Sequence, residues 1–249
     1  MKLTDSRSFV ELWCGRASSG DAGALEQHCA ASLSEEERIH ADRFRRPTTR
    51  NQHIVGRGMA RTLLAAGCSS PQEIEFVLNT HGKPDVLAPL AARRPFNIAH
   101  TDGFVVFARC ESGRIGVDVE RLARNTDYAL AERYFARPEV DFVMGQSSEE
   151  DRRLAFLKLW TLKESFVKAV GKGLAIPLAD FAFEAIDSPA PQIRMLREGL
   201  GDGRDWRFAC LSPAEGYVAA VAVSDCLGDA IEVRVRDFHE LLSPAATRI

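Results

Sequence analysis

Three carboxylates in two short segments are the residues of this chain best suited to chemistry. Asp118 and Glu120 lie in segment 116–120, and Glu164 lies in segment 160–168. Magnesium prefers oxygen ligands and usually takes one or two carboxylates beside waters and the phosphate oxygens of a substrate. The three acids therefore predict a magnesium site that would hold a phosphorylated substrate.

Asp118 and Glu120 are two residues apart on a predicted strand, 114–120. Because side chains alternate along a strand, both carboxylates point to one face. Ile115, Val117 and Val119 point to the other face, which is apolar and available for burial. The two acids are therefore presented together at the end of the strand. An ordinary solvated face is the alternative interpretation, and this pair alone does not separate the two.

Glu164 lies on the predicted helix 148–170, nearly opposite an apolar stripe. It shares its face with Trp160 and Lys168, which lie one turn before it and one turn after it. A carboxylate beside a large aromatic ring and a lysine is typical of the wall of a site. The alternative is a surface ion pair between Glu164 and Lys168, worth about 0.3–0.5 kcal/mol. The stripe consists of Ala155, Leu159, Leu162, Phe166 and Val170.

Basic residues that could bind a phosphate lie upstream of these carboxylates. Lys83 lies in a Gly-Lys-Pro turn, and His100 follows the predicted strand that begins at Phe96. A plain loop lysine and a hydrogen-bonded polar histidine are the alternatives. A cluster of arginines could attract a polyanion, since guanidinium groups bind phosphate in two-pronged fashion, although such a cluster is usually a solvated helix face. These arginines are Arg43, Arg45, Arg46, Arg50, Arg57 and Arg61.

Hydrophobic periodicity and turn residues predict an α+β fold in which each half has helix-rich segments followed by strands. The halves, 1–113 and 114–249, are expected to form two similar α+β lobes that pack as one body with a cleft between them. Residues 79–94, rich in Gly and Pro, are predicted as a loop. The predicted helices cover 34–44, 51–66, 126–135, 138–144 and 148–170, and the predicted strands cover 8–14, 73–78, 96–98, 104–110, 114–120, 180–185, 192–197, 206–211, 217–223 and 231–236.

The composition argues against several classes of protein. The 249 residues carry a net charge of −3, whereas a general nucleic-acid binder is usually basic. No apolar run approaches the roughly 20 residues that span a bilayer, and residues 1–20 are too polar for a signal peptide. The six cysteines lack the C-x-x-C spacing of a zinc site and are expected to be reduced thiols, which predicts a cytoplasmic protein.

In their order along the chain, these motifs resemble those of the 4′-phosphopantetheinyl transferase superfamily. The family strand G-[IV]-D-[IV]-E matches 116–120, and the family motif W-x-x-K-E-[SA]-x-x-K-A-x-G-x-G-L matches 160–174 at every fixed position. Upstream, G-K-P matches 82–84 and F-N-[IV]-[SA]-H matches 96–100. The resemblance spans roughly residues 12–235, and the length resembles the larger, monomeric, pseudo-dimeric branch typified by the surfactin-synthetase activator.

This resemblance implies a magnesium-dependent transfer of phosphopantetheine from coenzyme A to a serine of an acyl or peptidyl carrier protein, with release of 3′,5′-ADP. It makes Asp118, Glu120 and Glu164 the magnesium ligands, and Glu164, or a water that it orients, the general base. Lys168 would contact the pyrophosphate or assist deprotonation. Coenzyme A would be bound by Lys83, His100, Arg57 and Arg50.

The chain departs from the family pattern on its basic side. Ala99 stands where a serine usually precedes the motif histidine, and Thr101 could supply that hydroxyl. Glu37 and His40 stand where lysines are often found, so nearby arginines are expected to hold the 3′-phosphate. The carrier protein is expected to contact 121–150. Two other functions stay open: a non-catalytic regulator that binds coenzyme A or a nucleotide, and a magnesium-dependent phosphohydrolase that uses water as nucleophile.

Overall fold

The computed structural model describes residues 9–226, 228 and 230–242; residue 8, at which the first predicted strand begins, lies outside them. The fold is α+β, as the sequence predicts. The helices are α1 (Ala24–Ser32), α2 (Glu35–Asp42), α3 (Pro47–Ala65), α4 (Leu130–Tyr134), α5 (Arg137–Met144) and α6 (Glu149–Val170). The strands are β1 (Phe9–Arg16), β2 (Glu75–Leu78), β3 (Pro84–Ala88), β4 (Phe96–Thr101), β5 (Phe104–Arg109), β6 (Ile115–Arg121), β7 (Phe181–Glu184), β8 (Gln192–Met195), β9 (Trp206–Leu211), β10 (Tyr217–Ser224) and β11 (Glu232–Asp237).

The described chain divides into two compact units. Residues 11–109 with 234–242 are called here the N-terminal unit, and residues 9–10 with 110–233 are called the C-terminal unit. The change from one unit to the other falls at residues 109 and 110, whereas the sequence predicts a boundary at 113 and 114. The sequence also does not predict that the last strand, β11, joins the sheet of the N-terminal half.

The N-terminal unit is built on a four-stranded sheet with the order β11-β1-β5-β4, against which α3 packs. Strand β5 runs antiparallel to both β1 and β4. The buried side of α3 carries Val55, Met59 and Leu63, which share one apolar core with Val105 and Phe107 of β5. The same helix carries Arg50 and Arg57, which are predicted to bind coenzyme A. The packing of its apolar side therefore fixes the direction in which its polar side faces.

The C-terminal unit is built on a three-stranded antiparallel sheet with the order β6-β10-β9, covered by α6. In this register, Asp118 and Glu120 of β6 lie opposite Ala220 and Val218 of β10. Both predicted motifs with carboxylates therefore lie in this unit, one on the edge strand of the sheet and one on the helix that packs against it. Their relative position depends on how β6 and α6 meet.

Local signals determine both ends of α6. The hydroxyl of Ser148 accepts a hydrogen bond from the backbone N–H of Asp151 and caps the first turn. Gly171 ends the helix with a φ of 75°, a left-handed conformation that glycine adopts without strain. The predicted apolar stripe is confirmed, and it turns the opposite face of the helix, with Glu164, away from the core. The fully or nearly fully buried members of the stripe are Ala155, Leu159, Leu162 and Phe166.

Strand β6 and helix α6 come closest at Gly116. A Cβ atom at this position would overlap the carbonyl oxygen of Ser165 and the amide nitrogen of Ala169, both backbone atoms of α6. By strand alternation Gly116 shares its face with the two acids that follow it on β6. The glycine therefore lets the acidic face of β6 lie directly against the helix that carries Glu164 and Lys168.

Most predicted helices and strands are confirmed, with ends that differ from the predicted ends by a few residues at most. The exceptions have physical reasons. Residues 79–94 are not wholly a loop: they contain β3, whose first residue is Pro84, a position at which a strand tolerates proline. The helix predicted over 126–135 is limited to α4. Helix α1 is not predicted because its apolar pattern is weak; it packs on α3, where Gly58 leaves no room for a side chain beside Cys29. Within the described ranges, none of the helices is both long and apolar enough to cross a bilayer.

Gly116→Ala is expected to lower the free energy of unfolding by about 3 kcal/mol, because the new methyl group overlaps backbone atoms that cannot move without displacing α6. Urea unfolding followed by circular dichroism measures the change. Gly20→Ala is the matched control, since no described atom lies within 4 Å of the position of its Cβ. Equal stability of the two variants would contradict the close approach of β6 and α6.

Candidate active site

The contact between β6 and α6 joins two of the predicted site residues in an ion pair. The Nζ of Lys168 donates to Oδ1 of Asp118 at 2.6 Å. Asp118 is 7% exposed, and its Oδ2 is buried without a hydrogen-bond partner among the described residues. Burial raises the pKa of Asp118, and the ammonium group of Lys168 lowers it in part. A buried carboxylate oxygen that lacks a donor is a position where a cation would be stabilised.

Glu120 lies farther along the same strand and is also 7% exposed. Its Oε1 accepts a hydrogen bond from Nη1 of Arg124, which lies four residues later in the turn after β6. Because Asp118 and Glu120 are both buried, the alternative interpretation of this pair as an ordinary solvated face is wrong. Each of the two acids is instead held by a basic residue of the C-terminal unit.

Glu164 belongs to the same electrostatic cluster. Burial raises the pKa of Glu164 most, the negative charge of Asp118 raises it further, Lys168 lowers it, and Glu120 raises it again. The three carboxylates are therefore close enough to act on one another through their charges. Because Lys168 binds Asp118, it is part of this cluster and not merely the partner of Glu164 in a surface ion pair.

Trp160 lies one turn before Glu164 on the same face of α6. Its ring stacks on Phe156, with 5.8 Å between the ring centroids, and it lies 6.5 Å from the ring of Phe135. Trp160 is half-buried in this aromatic group. The face of α6 with Glu164 is therefore only partly solvated, as the sequence predicts, and the low polarity around it is the reason that burial dominates the pKa of this glutamate.

The chemistry of this cluster suits a hard divalent cation, since all of its candidate ligands are carboxylate oxygens. In the part of the chain that the structure describes, no three His, Cys, Asp or Glu side chains are already grouped as the ligands of one ion. Two of the candidate ligands instead bind cations of the protein: Asp118 binds Lys168, and Glu120 binds Arg124. An ion bound here would replace part of those contacts while using the unpaired Oδ2 of Asp118.

The residues predicted to bind coenzyme A all lie in the N-terminal unit. Arg57 is half-buried, and its Nε lies 3.6 Å from Oε1 of Glu37. Arg61, from the same cluster of arginines, binds the other oxygen of Glu37 at 2.7 Å and donates to the carbonyl of Ile74 at 2.8 Å. Arg61 is therefore a buried structural residue, whereas Arg57 keeps part of its surface exposed and is oriented by Glu37.

Two neighbours of Arg57 on α3 have unsatisfied nitrogen atoms. Nε of Arg50 and Nε2 of His53 are buried, and neither has a hydrogen-bond partner within the described ranges. Burial first, and then the charges of Arg57 and His40, lower the pKa of His53 to about 4, so its ring is neutral. Buried nitrogen atoms without partners beside positive charge indicate an anionic ligand. Sequence reasoning did not select His53, although its spacing from Arg50 and Arg57 puts all three on one face of α3.

Lys83 and His100 lie on two different elements of the N-terminal unit. Lys83 is in the turn between β2 and β3, where its backbone N–H donates to Oδ1 of Asn79 at 2.9 Å. His100 is exposed on β4, and His100 is near enough to His53 to influence its pKa. Ala99 and Thr101 share the opposite face of β4, so Thr101 is on the strand face that the missing serine would use.

A buried ion pair that the sequence does not predict joins α5 to α6 beside Glu164. Nζ of Lys163 lies 2.8 Å from Oε2 of Glu139, and both side chains are 0% exposed. Lys163 also donates to the carbonyls of Leu178 and Phe181, and Glu139 accepts from the amide of Phe183. With these partners the pair is well satisfied, and it joins the second half of α6 to α5 and to the segment that leads into β7. The sequence feature that could have indicated this pair is Lys163 itself, a charged residue on the side of α6 that is predicted to be buried.

Comparison with known proteins agrees with the motifs. Residues 114–222 match the family model of the 4′-phosphopantetheinyl transferase superfamily. The 4′-phosphopantetheinyl transferase HetI of Nostoc sp. is 30% identical over 226 residues, which cover 89% of this chain and 90% of that protein. A 4′-phosphopantetheinyl transferase of Bacillus subtilis is 30% identical over 220 residues, which cover 87% of this chain and 93% of that protein. A Synechocystis sp. relative is 36% identical over 148 residues, covering 58% of this chain and 59% of that protein.

The fold and the site therefore define an enzyme of the transferase class. The chain belongs to the 4′-phosphopantetheinyl transferase superfamily, and its matches over most of its length put it in the larger branch of that family. The resemblance drawn from the two carboxylate motifs is confirmed. The comparisons favour neither the non-catalytic regulator nor the phosphohydrolase.

In protein treated with EDTA, Glu164→Gln is expected to raise the melting temperature at neutral pH. Folding raises the pKa of Glu164, so its ionised form costs stability above the ordinary glutamate pKa of 4.5. That cost disappears as the pH falls and the carboxyl group is protonated in both states, so the gain should vanish by about pH 4.

Thermal unfolding measured from pH 4 to pH 8 tests this dependence. Glu184→Gln is the matched control, because Glu184 is exposed and paired with Arg194 on a surface strand. We expect no gain for the control at any pH. A lower melting temperature of Glu164→Gln at neutral pH would show that the carboxylate is not under repulsion.

Proposed function

We propose that this enzyme transfers 4′-phosphopantetheine from coenzyme A to a serine of an apo acyl or peptidyl carrier protein, with Mg²⁺ bound by Asp118, Glu120 and Glu164. The observation that carries the proposal is the carboxylate cluster of β6 and α6, in which a buried oxygen of Asp118 lacks a donor and burial, followed by the like charge of Asp118, raises the pKa of Glu164. Such a cluster costs stability, and a non-catalytic regulator would have no need of it.

The side chains of the cluster divide the chemistry between them. Magnesium, when bound, would stabilise the charge that builds up on the pyrophosphate oxygens of coenzyme A. Glu164, or a water that it orients, would take the proton of the serine hydroxyl, and its raised pKa makes it a better base than an ordinary glutamate. The serine oxygen forms a bond to phosphorus, and the bond to 3′,5′-ADP breaks with its electron pair on ADP. Lys168 would contribute positive charge beside that leaving group.

For coenzyme A we propose a binding surface on the N-terminal unit. The support is the set of unpaired buried nitrogen atoms on α3 and the positive charge around them. His53 joins the predicted residues because its Nε2 is one of those atoms, and Thr101 would supply a hydroxyl in place of the serine replaced by Ala99. The proposed surface consists of Arg50, His53, Arg57, Lys83, His100 and Thr101.

For the carrier protein we propose a contact on α4 and α5, within 121–150. Leu130 and Tyr134 of α4 are 37% and 39% exposed, so this short helix presents two large side chains to solvent. Arg133 lies over the ring of Tyr134 at 5.2 Å, and the side chain of Arg137 is 83% exposed. Apolar side chains flanked by arginines would suit a partner surface that combines apolar and acidic groups.

We further propose that the enzyme acts as a cytoplasmic monomer. None of the six cysteines, all of which lie among the described residues, forms a disulfide, as is usual in a reducing compartment. The monomeric state follows from the resemblance to the larger branch of the family, whose members contain two related lobes in one chain. Sedimentation of the purified protein at micromolar concentration would show a single species of 27.5 kDa under this proposal.

Mass spectrometry of a panel of apo carrier proteins, incubated with enzyme, coenzyme A and MgCl₂, tests the function directly. We expect one carrier to gain the mass of a single phosphopantetheine. Asp118→Ala and Glu164→Ala should lower kcat/KM at least about 100-fold, since each removes a proposed metal ligand. Glu184→Ala is the control and should keep normal turnover. Near-normal turnover of Asp118→Ala would contradict the metal assignment.

Lys83→Ala is expected to raise the KM for coenzyme A about tenfold and to leave the KM for the carrier protein nearly unchanged, because the turn presents one phosphate-binding charge. Tyr134→Ala is the matched comparison on the proposed carrier surface and should show the opposite ordering. Steady-state kinetics with each substrate varied in turn measures both. A larger effect of Lys83→Ala on the carrier KM would show that Lys83 does not bind coenzyme A.

A further inference from the structure

The two side chains of the ion pair between Arg124 and Glu120 differ in their exposure to solvent. The side chain of Glu120 is 9% exposed, whereas that of Arg124 is 49% exposed. Arg124 lies in the turn after β6, where its backbone N–H donates to the carbonyl of Arg121 at 3.0 Å. The carboxylate therefore belongs to the rigid strand, and the guanidinium reaches it from a solvated turn.

The two basic residues of the carboxylate cluster differ in the elements that carry them. Lys168 lies near the end of α6 and binds Asp118, and its side chain is 30% exposed. Arg124 is more exposed and lies outside any helix or strand. Because the side chain of Arg124 is half exposed, water can solvate its guanidinium when it leaves Glu120, and a metal ion would then offset the charge of the buried carboxylate. Moving the buried Glu120 instead would disturb the packed sheet.

We propose that Arg124 is an intramolecular competitor of the divalent cation: its guanidinium binds the carboxylate of Glu120 until the metal displaces it. The inference rests on the proposed function, since it takes Glu120 as a metal ligand. Arg124 and the metal need the same lone pairs of Glu120, and both cannot use them fully. In the absence of metal, the guanidinium of Arg124 binds the carboxylate of Glu120, and its positive charge offsets part of the repulsion between Glu120 and Glu164.

Displacement also changes the charge at the surface of the site. A guanidinium that leaves Glu120 becomes available to an anionic group of an incoming substrate. Arg124 is thus a positioning residue. It lowers the affinity of the site for the metal, and it stabilises the carboxylate cluster when no metal is bound. A residue that merely supported Glu120 in its ligating position would have the opposite effect on metal affinity, which makes the two roles separable.

Titration calorimetry with MgCl₂, on protein first treated with EDTA and without coenzyme A, tests the inference. Removing a competitor worth up to about 1 kcal/mol should lower the Kd for Mg²⁺ about fivefold in Arg124→Ala. Arg194→Ala is the matched control, because Arg194 also forms an ion pair with a glutamate, Glu184, and both side chains of that pair are about half exposed. We expect the control to bind Mg²⁺ with the affinity of the wild-type protein.

A second measurement follows Arg124 itself. In the wild-type protein, the Nε–H signal of Arg124, assigned by its loss in Arg124→Lys, should shift on addition of MgCl₂ as the guanidinium leaves Glu120. Equal or weaker Mg²⁺ binding by Arg124→Ala, with a melting temperature close to that of the wild-type protein, would overturn the inference and leave the proposed function intact. If the wild-type protein transfers phosphopantetheine but takes up no Mg²⁺, the magnesium part of the proposed function fails together with the inference.

Discussion

The approach of β6 to the backbone of α6 at Gly116 is the constraint on which the candidate active site depends. The two elements belong to different motifs, and each motif carries only part of the site: the strand carries Asp118 and Glu120, and the helix carries Glu164 and Lys168. Because Gly116 has no side chain, backbone atoms of α6 at Ser165 and Ala169 occupy the space in which a Cβ would lie. At this separation, Nζ of Lys168 lies 2.6 Å from Oδ1 of Asp118.

Electrostatics then determines what the close contact can do. Burial raises the pKa of Asp118 and of Glu164, so the cluster costs stability unless positive charge offsets it. The protein supplies that charge from Lys168 and Arg124, which are both partly exposed. The contrast with Lys163 and Glu139 is instructive, because that pair is fully buried and well satisfied by backbone groups. One pair anchors the helix, while each of the other two has a basic partner that water reaches.

The N-terminal unit also gathers charged side chains on one partly buried face, but these side chains are basic, whereas those of the cluster on β6 and α6 are mainly acidic. Helix α3 uses one face for the apolar core and presents Arg50, His53 and Arg57 on the other. Burial, together with the positive charge of Arg57, lowers the pKa of His53 to about 4 and keeps its ring neutral at physiological pH. Nitrogen atoms that are buried without a partner are uncommon in folded proteins, and those of Arg50 and His53 support the proposal that this face of α3 binds a ligand with several oxygen atoms. Phosphate groups of coenzyme A have that property.

Much of the fold could be predicted because its signals are local. The alternation of β6, the apolar stripe of α6, and the capping residues Ser148 and Gly171 each lie within a few residues of the element they define. Helix α1 and strand β3 were not predictable in this way. The first has a weak apolar pattern and depends on packing against α3, and the second begins with a proline in a segment that otherwise reads as a loop.

The sequence by itself determined the α+β class, the family and the identity of the three carboxylates, because motifs with specific spacing carry that information directly. Only the tertiary structure decided that Asp118 binds Lys168, that Asp118 and Glu120 are buried, and that Lys163 is an anchor although it directly precedes Glu164. These facts depend on contacts between residues far apart in the chain, as between Asp118 and Lys168. The packing of one element on another sets such distances, and local sequence patterns do not encode them.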